Sequence, residues 1–157
     1  MDTSANHKYS KDVQAVIVKN LQDPEFLVLK RLNKNTGVYE FRLVKGGVKK
    51  DEDVETALLR EITEETGIQK VTIIGALKPY SFSYSSKDMH VTHDVTPYLV
   101  EAVSKENYGL VDQAEEGGFD IDALLWIRST DALSIVTYPQ EQDLIGQSVE
   151  LLSKKLQ

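Results

Sequence analysis

Hydrophobic positions in this chain fall into short runs separated by polar, turn-forming residues. Residues 13–18, apart from Gln14, and 26–29 are apolar or β-branched, with Asn20, Asp23 and Pro24 between them, and predict two strands joined by a turn. Residues 39–43 predict a third strand, which runs into Lys45, Gly46 and Gly47. Residues 71–77, 91–103 and 124–127 predict three more, with Tyr80, Phe82 and Tyr84 alternating in the segment between the first two; Trp126 is assigned to the core. Helical spacing occupies residues 54–66, where Asp53 suits the N-cap, Glu55 complements the first turn and Gly67 stands at the C-terminal stop. A short helix is predicted from near Ser129. An amphipathic one follows Pro139, with Leu144, Ile145, Val149, Leu152 and Leu156 at helical spacing. Strands before and after the helices predict an α/β (α+β) architecture, a mixed sheet packed between helices. Residues 1–11, polar and aperiodic, predict a flexible tail, and residues 12–157 a single domain.

Composition narrows the possibilities. With 157 residues, 41% hydrophobic and 27% charged, the chain can bury one substantial core. Its longest apolar run, residues 123–127, is far short of the roughly 20 residues a membrane span needs, so no membrane crossing is expected. Cysteine is absent, which excludes disulfides, a thiolate nucleophile and Cys-ligated metal. The polar first residues have no apolar signal core, and a cytoplasmic location is expected. A net charge of −7 argues against bulk nucleic-acid binding. It leaves room for a small phosphorylated ligand, held by a few local cations or by metal ions.

The chemistry concentrates in residues 46–68. On a wheel of about 100° per residue, Glu61, Glu64 and Glu65 share an arc of about 100°. That arc overlaps the stripe made by Val54, Ala57, Leu58 and Ile62, which must face the core. Carboxylates crowded against buried surface repel one another and are costly to desolvate. Two readings follow: a hard divalent cation held by oxygen ligands, Mg²⁺, Mn²⁺ or Ca²⁺ rather than zinc, or an acidic helix neutralised by Arg60 and surface lysines.

The spacing decides the direction. Gly46, five residues, Glu52, seven residues, Arg60-Glu61-Ile62, one residue, Glu64-Glu65, one residue, Gly67-Ile68 is the signature of the Nudix hydrolases, and the chain resembles that family over residues 46–68. The resemblance implies a Nudix-type mixed sheet between helices and hydrolysis of a nucleoside diphosphate linked to another group. It implies that Glu61, Glu64 and Glu65 ligate Mg²⁺ or Mn²⁺, joined by a backbone carbonyl of Lys45 or Gly46, with Glu61 also helping to deprotonate the attacking water. Glu52 and Arg60 correspond to an ion pair that fixes the loop against the helix, and Gly46 and Gly47 let that loop approach the ligand closely.

The stretch Phe41-Arg42-Leu43-Val44-Lys45-Gly46-Gly47 resembles the corresponding segment of the dinucleoside tetraphosphate hydrolases and of the RNA 5′-pyrophosphohydrolases, as does Glu52-Asp53-Val54-Glu55-Thr56-Ala57-Leu58 for the animal-type diadenosine tetraphosphate hydrolases. Val44 departs from a usual proline and Asp51 from a usual glycine. Asp122-Ala123-Leu124-Leu125-Trp126-Ile127 resembles the late tryptophan strand of the same group, whose members carry an extra acidic ligand shortly before it. This chain offers Glu115, Glu116 and Asp120 there, and Glu116 is taken as the candidate.

The resulting expectation is Mg²⁺-dependent hydrolysis of a small nucleotide, a dinucleoside polyphosphate such as diadenosine tetraphosphate. The alternatives are a nucleoside triphosphate, ADP-ribose or nucleotide sugar as substrate, or a catalytically silent module that senses a nucleotide or binds a protein. Tyr80, Phe82 and Tyr84 are either core residues or a stacking face, with Tyr84 the candidate base platform and Lys45 the candidate phosphate contact. His90 and His93 are candidates for proton donation or phosphate binding, set against a plain structural role.

Overall fold

The structure, a computed structural model, describes residues 6–103 and 119–156. Its order is β1 (His7–Lys19), β2 (Glu25–Asn33), β3 (Val38–Arg42), β4 (Val44–Gly47), α1 (Val54–Thr66), β5 (Val71–Ala76), β6 (Tyr80–Ser86), β7 (Met89–Ala102), β8 (Phe119–Arg128), α2 (Ser129–Ile135) and α3 (Pro139–Lys155). All eight strands join one mixed sheet with the order β3-β2-β1-β7-β5, to which β4 adds on β1, β6 on β7 and β8 on β2. β1 and β7 run parallel, from His7 opposite His90 to Val18 opposite Glu101, and the other pairings are antiparallel.

Residues 13–18 are buried on both faces of the sheet, which explains a run that is apolar on both faces apart from the hydrogen-bonded Gln14. Val13, Ala15 and Ile17 meet Ala57, Leu58 and Ile62 of α1 on one side. Val16 and Val18 meet Ala132, Leu144, Ile145 and Leu152 of α2 and α3 on the other. The sheet is therefore sandwiched between helices, as the pattern predicts. The ends of α1 are also as predicted: Asp53 accepts from the Thr56 amide at 2.8 Å, and Gly67 takes a left-handed φ of 78°. Trp126 is half-buried against the α1-side core, with the Lys19 ammonium 4.4 Å from its ring centroid.

Two expectations are corrected. Residues 7–11 are not a loose tail but the start of β1: backbone pairing to β7 holds them, so their side chains need not be apolar. The His7 ring stacks on Tyr9 at 4.2 Å, and its Nε2 lies 3.0 Å from Thr92 Oγ1. Residues 44–47 are not a plain loop but strand β4, with Asp12 opposite Gly47 and Gln14 opposite Lys45.

Candidate active site

β4 places two kinds of chemistry on opposite faces of one edge. On the α1 side, the Lys45 amide donates to Glu65 Oε2 at 3.2 Å, and a Cβ on Gly46 would overlap the carboxylate of Glu61. Gly46 has an ordinary φ, so glycine is required there by this close approach rather than by backbone strain.

Arg60 organises the acids. Its Nε and Nη2 donate to both carboxylate oxygens of Glu52 at 2.8 and 2.9 Å, and Nη2 also donates to the Gly47 carbonyl at 2.8 Å. Its Nη1 reaches Glu61 at 2.8 Å and Glu64 at 3.2 Å. The Lys49 amide adds a bond to Glu52 at 2.9 Å. Hydrogen bonds from Arg60 above all hold the Glu52 carboxyl down to about 2. The Glu52–Arg60 pair that the family resemblance implies is thus present, and Arg60 also ties the loop to the helix through the Gly47 carbonyl.

Glu65 behaves in the opposite way. It is 8% exposed, and burial raises its carboxyl to about 8; the charge of Glu61 acts in the same direction, while Arg31 and the Lys45 amide oppose it. Among the described residues, no group of three or more acidic or histidine side chains closes on a single point. The donors nonetheless suit a hard cation. They are all oxygens, Glu65 is a buried carboxyl whose ionisation calls for positive charge, and Arg60 already brings a cation between Glu61 and Glu64. Glu115 and Glu116 lie outside the described residues, and Asp120 is seen only by its place in β8.

On the other face lies a cavity of about 540 Å³. Arg42 and Lys45 line it, together with Phe82, Tyr84, His93 and Tyr138. The Lys45 ammonium sits 4.3 Å from the Phe82 ring centroid and the Arg42 guanidinium 4.4 Å from that of Tyr138. Burial, with Arg42 nearby, lowers the Lys45 pKa from the usual lysine value. Beneath them a buried polar network fixes Arg42: its Nε donates to Glu141 Oε1 at 2.7 Å, Gln14 donates to Glu141 Oε2, and the Tyr80 hydroxyl donates to Gln14.

Tyr80, Phe82 and Tyr84 do share a face, but they divide its roles. Tyr80 is bonded into the network and packed on the core, while Tyr84 is 47% exposed. His93 lines the cavity, with its Nδ1 2.8 Å from Asp12 Oδ2. His90, three positions away on β7, points to the other sheet face and lies 3.3 Å from Ser85 Oγ. Both histidines sit within β7.

Arg42, Tyr138, Glu141 and Asp12 have no part in the sequence reading of the site. A signal existed for Gln14, a polar residue within an otherwise apolar run, while Asp12 continues the polar residues before it. For Arg42, Tyr138 and Glu141 there was none, since their meeting across about a hundred residues is a product of the fold.

The NUDIX domain profile matches residues 10–144. None of the curated proteins matches the chain. Among solved structures, it is similar to a Caenorhabditis elegans Ap4A hydrolase in a binary complex, at 22% identity and a TM-score of 0.69, covering 92% of this chain and 98% of that one. It is also similar to the Escherichia coli dihydroneopterin triphosphate pyrophosphohydrolase, at 16% identity and 0.68, with coverage of 90% and 97%. The NUDIX domain of Shewanella oneidensis NrtR, complexed with ADP ribose, aligns at 18% identity and 0.60, covering 100% of this chain and 94% of that one. These likenesses concern the fold, with its sheet between helices; together with the profile match over most of the length and the carboxylate helix against β4, they mean that the chain belongs to the Nudix hydrolase family.

Proposed function

We propose that this protein hydrolyses a pyrophosphate bond in a nucleoside diphosphate derivative, with a dinucleoside polyphosphate such as diadenosine tetraphosphate as the substrate class. The observation that carries the reading is the position of β4. One edge strand presents Lys45 to an aromatic, cationic cavity and its amide, with Gly46, to the acidic helix. A base stacked at Tyr84 would send its phosphates past Lys45 and Arg42 toward Glu61, Glu64 and Glu65.

Mg²⁺ or Mn²⁺ would be held by those three carboxylates and by a backbone carbonyl of Lys45 or Gly46, with Glu116 as a further candidate ligand. When bound it supplies Lewis acidity and a more acidic water. The chain's own contributions are positional. Glu52 and Arg60 hold the loop, Gly46 leaves room for Glu61, and Glu61 is placed to take the proton of the attacking water. Lys45 and Gly47 border the path of the phosphates, and Tyr84 orients the base.

ADP-ribose, nucleotide sugars and nucleoside triphosphates are the competing substrates, and a silent nucleotide sensor is the competing role. No helix among the described residues is long and apolar enough to cross a membrane. A cytoplasmic setting belongs to the same proposal. The test is incubation with a panel of these nucleotides and Mg²⁺, with products identified by mass. Diadenosine tetraphosphate is expected to be cleaved fastest, giving ATP and AMP. Faster cleavage of ADP-ribose or a simple triphosphate would reject the substrate class, and no release from any member would reject hydrolysis.

A further inference from the structure

Tyr84 and His93 line the aromatic cavity and also line a second one, of about 580 Å³, beside it. Each is large enough for a nucleoside, since small-molecule sites occupy roughly 300–1,000 Å³. The second cavity has an apolar surface made by Met89, Val91 and the ring of Tyr84, and Met89 is 44% exposed. Lys8 and Lys87 bring positive charge to it, and Asp88 is the acid among its lining residues.

The wall that the two cavities share is rigidly built. The His93 ring stacks on Phe82 at 4.7 Å and on Tyr84 at 5.7 Å. Its Nδ1 is tied to Asp12, which is 4% exposed and also accepts from Ser10 Oγ at 2.7 Å. The bond to Asp12 leaves Nε2 as the ring atom for a ligand. Asp12 itself lies opposite Gly47, so the wall is braced against the same strand that meets the acidic helix.

We infer that the second cavity is a binding site for the second nucleoside of a dinucleoside polyphosphate, whose anionic linker turns at the β4 edge beside Lys45 and returns past the Nε2 edge of His93, with Lys8 and Lys87 at its far end. Two cavities that share one aromatic wall, the second with an apolar surface and two lysines, match a ligand with two planar heads and a charged strap. A one-headed nucleotide fills only the first. This inference rests on the proposed substrate class and adds a second site to it.

The test uses the full chain with methyl-labelled methionine and chelator present, so that nothing is cleaved. Met1 and Met89 are the two methionines, which makes the Met89 methyl a direct probe of the second cavity. Diadenosine tetraphosphate is expected to shift that methyl and to saturate at one ligand per chain, while adenosine 5′-tetraphosphate binds by calorimetry and leaves it in place. K87E is expected to weaken the two-headed ligand about tenfold, or about 1.4 kcal/mol, and the one-headed ligand less than about twofold. An unmoved Met89 methyl at saturation, or equal weakening of both ligands, overturns the second site. If neither ligand binds, the second site falls together with the substrate class. A Met89 shift that persists while added Mg²⁺ brings no hydrolysis supports the second site and rejects the hydrolase reading alone.

Discussion

Glu65 combines burial with a site otherwise rich in negative charge, and its proton is the most informative one in the molecule. Between the ordinary carboxylate range and about pH 8, the unfolded chain has lost this proton while the folded chain keeps it. Stability in metal-free buffer should therefore fall as pH rises across that window and level off above it. E65Q removes the dependence: urea melts from pH 5 to pH 9 are expected to show the variant gaining on the wild type by on the order of a few kcal/mol. The same substitution, like E64Q, is expected to cut Mg²⁺-dependent turnover by at least about 100-fold with the fold intact. Near-normal turnover in both variants would remove these residues from the metal site. Gly46 gives a complementary case. G46A places a methyl against the flexible end of Glu61, so the chain should fold with a stability change under about 1 kcal/mol while its kcat drops by about tenfold or more. A kcat like that of the wild type would show that Glu61 moves aside without consequence.

At the scale of elements, α1 depends on its ends and on the pair that anchors its loop. G67A forces a left-handed φ of 78° on a residue with a side chain, and denaturant unfolding should register a loss of about 1–2 kcal/mol. E52Q leaves every proposed ligand in place and weakens the two-point pair with Arg60 and the bond from the Lys49 amide, which together hold the loop against the helix. Its kcat should fall less than that of E65Q, and the reverse order would mean that orientation matters more than ligation. Asp53 and Gly67 could be read from the sequence because caps are local, set by residues that neighbour the helix in the chain. β4 could not. Val44-Lys45-Gly46-Gly47 has no alternation and two glycines, and it is extended because β1 offers it a partner. The first residues of β1 were missed for the same reason, since a strand held by backbone pairing to β7 needs no apolar side chains. The acidic helix stood out in the sequence because Glu61, Glu64 and Glu65 overlap its apolar stripe, and the family resemblance gave that overlap its chemical reading, whereas the cavity on the other face of β4 required the meeting of β4, β6 and α3.

Across the molecule, the aromatic cavity and the α3 packing share one buried network. Glu141 is 1% exposed and receives Arg42, Gln14 and the Leu43 amide. E141A removes the closer of two carboxylates from the buried Arg42, leaving Glu40 at 3.5 Å, and urea melts should show a loss of about 3 kcal/mol. Y84A acts at the open end of the same cavity and should raise KM for diadenosine tetraphosphate much more than it lowers kcat, because stacking on a remote base is largely uniform binding. The long parallel pairing of β1 with β7 governs something else, the order of events during synthesis. β1 leaves the ribosome well before β7, so His7 waits for His90 and Val18 for Glu101. Until β7 has emerged, the nascent chain holds β1 without its longest partner, its apolar residues 13–18 open to chaperones and to other chains. Nascent chains stalled before β7 should therefore be digested rapidly by protease, and resistance should appear only once residues beyond Ala102 have cleared the exit tunnel.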